Sequence, residues 1–301
     1  MTRPAAPSDV IDPPLGLAYA VGAYVLWGFL PFYMKAVAHV PPVEVVAHRV
    51  VWSVPLAGAL LVILGRTADL RAALSSPRTL AMGCLTAGLV SINWAIYVLA
   101  IANDRALDAA LGYYINPLFS VFLASVLLRE RLSRSQMTAV ALAALAVLVL
   151  VVEAGRLPWP ALGLTFSWGF YAFFKKSLPV GPNQGFLMEV LILMPAALGY
   201  LLWLQVQGLG HFGATATDTW LLLAAGLVTA VPLILYANGA KLIRLSTIGI
   251  LQFIAPTMIF LVAVLAFGEQ MDRGRMIAFP MIWAALVIYT APMLPAMRRR
   301  P

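Results

Sequence analysis

Cysteine and histidine are almost missing from this chain, and charge is scarce. One cysteine, Cys84, occurs in 301 residues, so no internal disulfide can form, and its place in an apolar run reads as packing. Three histidines, at 39, 48 and 211, are too few for a His-rich metal site. No metal and no cofactor is expected. Only 11% of residues are charged while 62% are hydrophobic, and mean hydropathy is +0.91. Soluble domains carry about a quarter charged residues, so a soluble fold is excluded. The net charge of +8 does not point to nucleic acid, because the basic residues are scattered between apolar runs and form no polar face. Catalytic signatures are missing as well. There is no H-E-x-x-H, no G-x-S-x-G and no acidic pair within an apolar run, which leaves a membrane-embedded enzyme as a remote reading.

What is present is a series of apolar runs. A spanning helix needs about 20 mainly apolar residues, and ten segments qualify, at 15–37, 43–64, 79–101, 107–128, 136–152, 158–176, 183–206, 218–238, 246–267 and 275–295. The first is too long for a signal peptide and has no small-residue cleavage site. The breaks are short and hold charge, Pro or Gly. The expected fold is therefore an all-α integral membrane protein of ten helices. Placing the N-terminus inside puts fourteen Lys and Arg on the inner side and five outside, with Arg49 left within the membrane. That imbalance predicts both termini in the cytoplasm.

The chain is also duplicated. Ile115, Pro117, Ala124, Glu130, Arg134 and Met137 recur as Ile254, Pro256, Ala263, Glu269, Arg273 and Met276, all at one spacing of 139 residues. Trp27-Gly28-Phe29 with Lys35 recurs as Trp168-Gly169-Phe170 with Lys176. The copies align helices 1–5 with helices 6–10, and five being odd, the second enters the membrane upside down. The expected division is a tail at 1–14, a first repeat at 15–153, an inverted repeat at 154–296 and a basic tail at 297–301. Inverted repeats with a site near the midplane are the pattern of secondary transporters.

Polar side chains are unevenly distributed. Helices 5 and 10 are almost wholly aliphatic and suit a scaffold facing lipid or a partner copy. At helical spacing, Tyr24, Trp27 and Pro31 share a face, as do Tyr113 and Pro117, Thr229, Pro232 and Tyr236, and Gln252 and Pro256; Trp94 and Tyr97 lie close to Asn93. Together with Tyr114, Asn116, Trp168 and Tyr171 they are candidates for a polar, aromatic-lined cavity. The bland alternative is helix-to-helix hydrogen bonding. Pro31, Pro117, Pro232 and Pro256 are hinge or gating candidates, since each removes an intrahelical hydrogen bond; Pro117 would free the carbonyl of Tyr113, and Pro256 that of Gln252. Charge inside an apolar run is costly, which singles out Arg49 and Glu189. Arg49 either anchors a substrate carboxylate or braces its helix, the commoner role. Glu189 either holds a cation or proton or pairs locally. His48 can titrate near neutrality, although a packed histidine is commoner. Glu44, Asp104 and Asp108 read as solvated interfacial charge. Glu130 and Glu269 follow helix ends, where the dipole disfavours them, so they are expected to be structural anchors paired with Arg131, Arg134 or Arg273.

The stretches YVLWGFLPFYMK at 24–35, HRVVWS at 48–53, Asn93-Trp94, LGYYINPL at 111–118 and LSTIGILQFIAP at 245–256 resemble the drug/metabolite transporter superfamily, in particular its ten-helix EamA-type exporters and their RarD-like branch. The resemblance covers nearly the whole chain. One departure is Ala255, where relatives usually have Gly before the proline. The resemblance implies a multi-pass protein of a bacterial cytoplasmic membrane that exports small metabolites such as amino acids, aromatic ones included. The expected function is broad amino-acid export by alternating access, with a drug or other metabolite permease as the alternative. The expected partners are a small-molecule substrate and lipid, not nucleic acid.

Overall fold

A computed structural model describes residues 13–127, 133–155, 157–243 and 251–291. Among them there is no strand. The helices are α1 (Pro14–Ala36), α2 (Pro42–Ile63), α3 (Thr67–Ser75), α4 (Pro77–Ala102), α5 (Ala106–Leu127), α6 (Arg134–Ala154), α7 (Trp159–Lys176), α8 (Pro182–Val206), α9 (Ala216–Leu242), α10 (Ile254–Leu261) and α11 (Arg273–Thr290). Six of them, α1, α2, α4, α6, α8 and α9, hold windows long and apolar enough to cross a membrane. The chain is a multi-pass membrane protein.

Local chemistry sets the helix starts. α1, α2, α4, α7 and α8 begin with proline in the first two positions, where the missing N–H would have had no intrahelical partner. α6 has a capping box in which Ser133 and Gln136 exchange side-chain and backbone bonds, and Thr215 and Asp272 cap α9 and α11; such caps are each worth about 1 kcal/mol.

Two features depart from the pattern expected of the ninth segment. The chain turns at Gln252 and Phe253, so that Pro256 falls in the first turn of α10 and not in a helix interior. Its missing N–H therefore costs nothing, and the expected kink is a break placed just before the proline. Beyond Leu261 the helix widens into a π turn over Val262–Ala266. By contrast, α1, α5 and α9 run unbroken through Pro31, Pro117 and Pro232. The short α3 was absent from the expected segments because nine residues cannot span a bilayer. Ala73 on it packs with Leu178 and Met188.

α1 packs on α9 and α10, α2 on α8 and α9, α4 on α7 and α8, α5 on α7 and α10, and α6 on α11. The pair α6–α11 is peripheral, with Met137, Leu145, Leu148, Val152, Met276 and Val287 exposed. Cys84 is exposed as well, not packed.

One end of the bundle is tied by polar contacts between elements far apart in sequence. His39 Nε2 lies 2.8 Å from Asp218, and His211 meets Glu44 through both its backbone N–H (2.7 Å) and Nδ1 (2.8 Å). Asp108 is shared by Arg105 and Arg275, and Lys35 pairs with Asp104. Glu44 and Asp108 are 1% and 5% exposed, so they are not the solvated charges their interfacial positions suggested. Burial became affordable because His211 of the α8–α9 loop reaches Glu44, and Arg275 of α11 together with the neighbouring Arg105 reaches Asp108. Asp104, with 69% of its side chain exposed, is solvated as expected.

Glu269 belongs to the same end. Gly268 takes a left-handed φ of +67°, which glycine adopts without strain. This turns the Glu269 carboxylate onto the start of α5, where it accepts from the N–H of Ala106 (2.6 Å) and Leu107 (3.0 Å). Its partners are thus a helix N-terminus and not Arg273, so the dipole that opposes it at its own helix end favours it at the next. Burial nonetheless pushes its carboxyl above the usual range, while the two N–H groups and Arg275 pull it back. We expect Glu269→Ala to cost about 1.5–3 kcal/mol, the worth of hydrogen bonds to a charged group. Glu269→Gln should cost less, because it keeps an acceptor without the buried charge. Thermal melts of the detergent-solubilised variants would check the order. Glu130, the other expected anchor, lies outside the described residues, as do Arg129 and Arg131.

Candidate functional site

The helices enclose a cavity of about 130 Å3 lined from both halves of the chain. α1 contributes Tyr24, Trp27 and Leu30; α2 contributes Arg49; α4 contributes Asn93, Trp94 and Tyr97; α5 contributes Tyr113 and Asn116; α7 contributes Trp168. From α9 come Thr229, Leu233 and Tyr236, and from the break and α10 come Gln252, Ala255, Pro256 and Ile259. The walls are largely aromatic. Tyr24, Trp27 and Tyr236 form a three-ring cluster with centroids 5.6–6.0 Å apart, and Tyr97 packs on Tyr113 at 5.9 Å.

Hydrogen bonds hold these walls in place. Asn93 donates to Leu164 O (3.2 Å) and Ser167 Oγ (2.9 Å) on α7 and accepts from the Tyr113 hydroxyl (3.3 Å) on α5. One amide thus joins three helices. Arg49 reaches across from α2, donating Nε to Thr229 Oγ1 at 2.9 Å, with its guanidinium 4.6 Å over the Trp94 ring.

Of the polar and aromatic residues singled out in the sequence, twelve line this space: Tyr24, Trp27, Arg49, Asn93, Trp94, Tyr97, Tyr113, Asn116, Trp168, Thr229, Tyr236 and Gln252. Three other cavity candidates do not. His48 stacks on Phe212 at 5.3 Å and accepts from Trp52 Nε1 at 3.0 Å, so it is a packed histidine. Tyr114 bonds Thr257 at 2.7 Å and packs on Phe279 and Trp283, joining α5 to α10 and α11. Tyr171 lies beside Trp168 with its hydroxyl on Glu189 at 3.2 Å. Of the four proline candidates, Pro256 alone is in the lining. Leu30, Leu233 and Ile259 were missed, because an aliphatic residue in an apolar helix carries no mark of which way it faces.

Glu189 is 1% exposed and bonded by Lys175 Nζ at 2.6 Å. It therefore pairs locally, with a lysine one helix away, and does not pair with Arg49. None of the cavity groups forms a metal cluster, and among the described residues no group of three His, Cys, Asp or Glu could hold one.

Comparison with known proteins shows where this architecture belongs. Residues 14–152 match the model of the EamA-like transporter family. The chain is 42% identical to Protein RarD of Streptomyces exfoliatus, over 94% of this chain and 90% of that protein. This chain belongs to the EamA-like transporter family, within the drug/metabolite transporter superfamily. It is also 38% identical to Protein RarD of Escherichia coli, over 94% of this chain and 96% of that protein, and 32% identical to the Chloramphenicol-sensitive protein RarD of Pseudomonas aeruginosa, over 91% of this chain and 92% of that protein. A solved protein structure matches with a TM-score of 0.62 at 19% identity, covering 97% of this chain and 99% of that one; at that identity the likeness shows the fold alone.

Proposed function

We propose that this EamA-family transporter exports amino acids of varied side chain from the cytoplasm by alternating access. In this reading ten helices form two inverted five-helix repeats, both termini face the cytoplasm, and the cavity lies between the halves. The observation that carries the reading is the cavity: buried polar groups and aromatic faces drawn from both halves at mid-helix depth, the arrangement expected of a small-molecule site. The packing supports the repeat. Exchanging the halves converts α1–α9 into α7–α4, α1–α10 into α7–α5 and α2–α9 into α8–α4, while α2–α8, α5–α10 and α6–α11 map onto themselves. The polar ties at the α1–α2, α4–α5 and α8–α9 connections support a state closed at that end. An amphoteric substrate suits a cavity with one guanidinium, neutral amides and aromatic faces that attract an ammonium group.

Uptake of a panel of labelled amino acids into proteoliposomes tests this, and flat traces for every one would sink it. A drug or other metabolite permease is the second reading. It is favoured by the relative named for chloramphenicol sensitivity, and chloramphenicol uptake in the same vesicles without amino-acid uptake would select it. Replacing Trp94, Tyr97 or Gln252 with Ala should reduce transport several-fold or more while the protein still reaches the membrane. Full activity in all three would remove the cavity from the mechanism.

A further inference from the structure

We infer that Arg49 is the anion-receiving group of the cavity, so that the substrate carries a carboxylate and binds with that group against the guanidinium. The inference rests on the cavity being the transport site. The first ground is a census of charge. Among the described residues, each deeply buried acid already has a basic partner: Glu44 has the His211 imidazole, Asp108 has Arg105 and Arg275, and Glu189 has Lys175. Arg49 is 4% exposed and forms no ion pair among those residues. A buried charge is strongly unfavourable without a compensating partner, and an arginine that lines a cavity can take that partner from a ligand.

The second ground is the use Arg49 makes of its donors. A bracing arginine spends its fork of N–H groups on carbonyls and carboxylates. Among the described residues its bond to protein is a single one, from Nε to Thr229 Oγ1, and that hydroxyl is itself occupied in donating to Ala225 O at 2.8 Å. Nη1 is buried without a hydrogen-bond partner among the described residues. The face of the guanidinium rests on Trp94, an interaction that holds a cation while leaving its N–H rim unused. A carboxylate matches that rim in shape and charge.

The third ground lies in the other lining groups. The Tyr97 hydroxyl and Asn116 Oδ1 are also buried without hydrogen-bond partners among the described residues. The hydroxyl can donate a further bond to an anion, and the amide oxygen can accept from a donor elsewhere on the same ligand. Three unsatisfied groups in one cavity are unusual in a folded protein, and a small molecule with an anionic end and a donor would satisfy them together.

Binding to the purified full-length protein separates the possibilities. The probes are 3-phenylpropionate, which keeps the carboxylate, phenethylamine, which keeps the amine, and L-phenylalanine, which has both. Wild type should bind 3-phenylpropionate and L-phenylalanine at least about tenfold more tightly than phenethylamine, the scale of one charge-assisted contact. Arg49→Gln should bring all three level, and Arg49→Lys should fall between. The inference is overturned if phenethylamine binds wild type as well as 3-phenylpropionate does, if none of the three binds, or if Arg49→Gln keeps the preference. Should Arg49→Gln fail to fold, the wild-type series and Arg49→Lys still decide. Arg49-dependent binding of 3-phenylpropionate without transport of any amino acid would keep this inference and remove amino-acid export. Equal amino-acid uptake by wild type and Arg49→Gln would do the reverse.

Discussion

Lys175→Met is expected to destabilise the protein by about 3–5 kcal/mol, the cost of stranding one member of a buried ion pair. Glu189 sits on α8 at 1% exposure, with Lys175 of α7 at 2.6 Å and the Tyr171 hydroxyl at 3.2 Å. Removing the lysine leaves a carboxylate with one neutral donor and no counter-charge. The double variant Lys175→Met with Glu189→Met should recover most of the loss, since replacing both charges with apolar groups of similar volume is often neutral. Thermal melting and size-exclusion profiles of the three proteins would check this. If Lys175→Met melts with wild type, Glu189 is not held by the pair, and its role as an ion or proton site regains the stronger claim.

Gly226→Ala should be nearly as damaging, for a different reason. α9 crosses α2 so closely that a Cβ at Gly226 would lie 2.3 Å from both the carbonyl carbon and the oxygen of Trp52. Backbone cannot rotate away as a side chain can, so the two helices must separate. Overpacking of this kind costs about 1–3 kcal/mol. It should also cost function, because the same two helices carry Arg49 and Thr229, whose 2.9 Å bond spans the crossing. Gly88→Ala is the control: nothing lies within 4 Å of a Cβ there, and in a helix interior alanine should gain up to about 1 kcal/mol. A Gly226→Ala protein with wild-type stability and ligand binding would mean that close backbone contact at Gly226 does not hold α9 to α2.

The candidate site was legible where the residue type itself was unusual for its surroundings. Trp94, Tyr97, Asn93, Asn116 and Arg49 stand out in apolar helices, and all line the cavity. His48 and Tyr114 stand out equally and do not line it. Both sit on lining helices but point toward packed neighbours, Phe212 in one case and Phe279 with Trp283 in the other. Rotation about a helix axis by one residue changes facing by about 100°, and no local pattern identifies which neighbour lies on that side. The acids at the tied end illustrate the same limit. Glu44 and Asp108 look like interfacial charges until His211 and Arg275 are brought to them.

The spans of α1, α2, α4, α6, α8 and α9, the duplicated pattern and the choice of polar residues were legible in the sequence alone, because apolar run length, proline and charge act within a few residues of where they stand. Pairing was decided only by the tertiary structure. Glu269 caps α5 because Gly268 turns it there, Glu189 meets Lys175 because α7 lies beside α8, and Arg49 is left without a counter-charge because each described buried acid is taken elsewhere. Those outcomes depend on which helices touch and which faces they turn to each other, and neither is written in local composition, whether the partners are 14 positions apart, as Lys175 and Glu189 are, or 163, as Ala106 and Glu269 are.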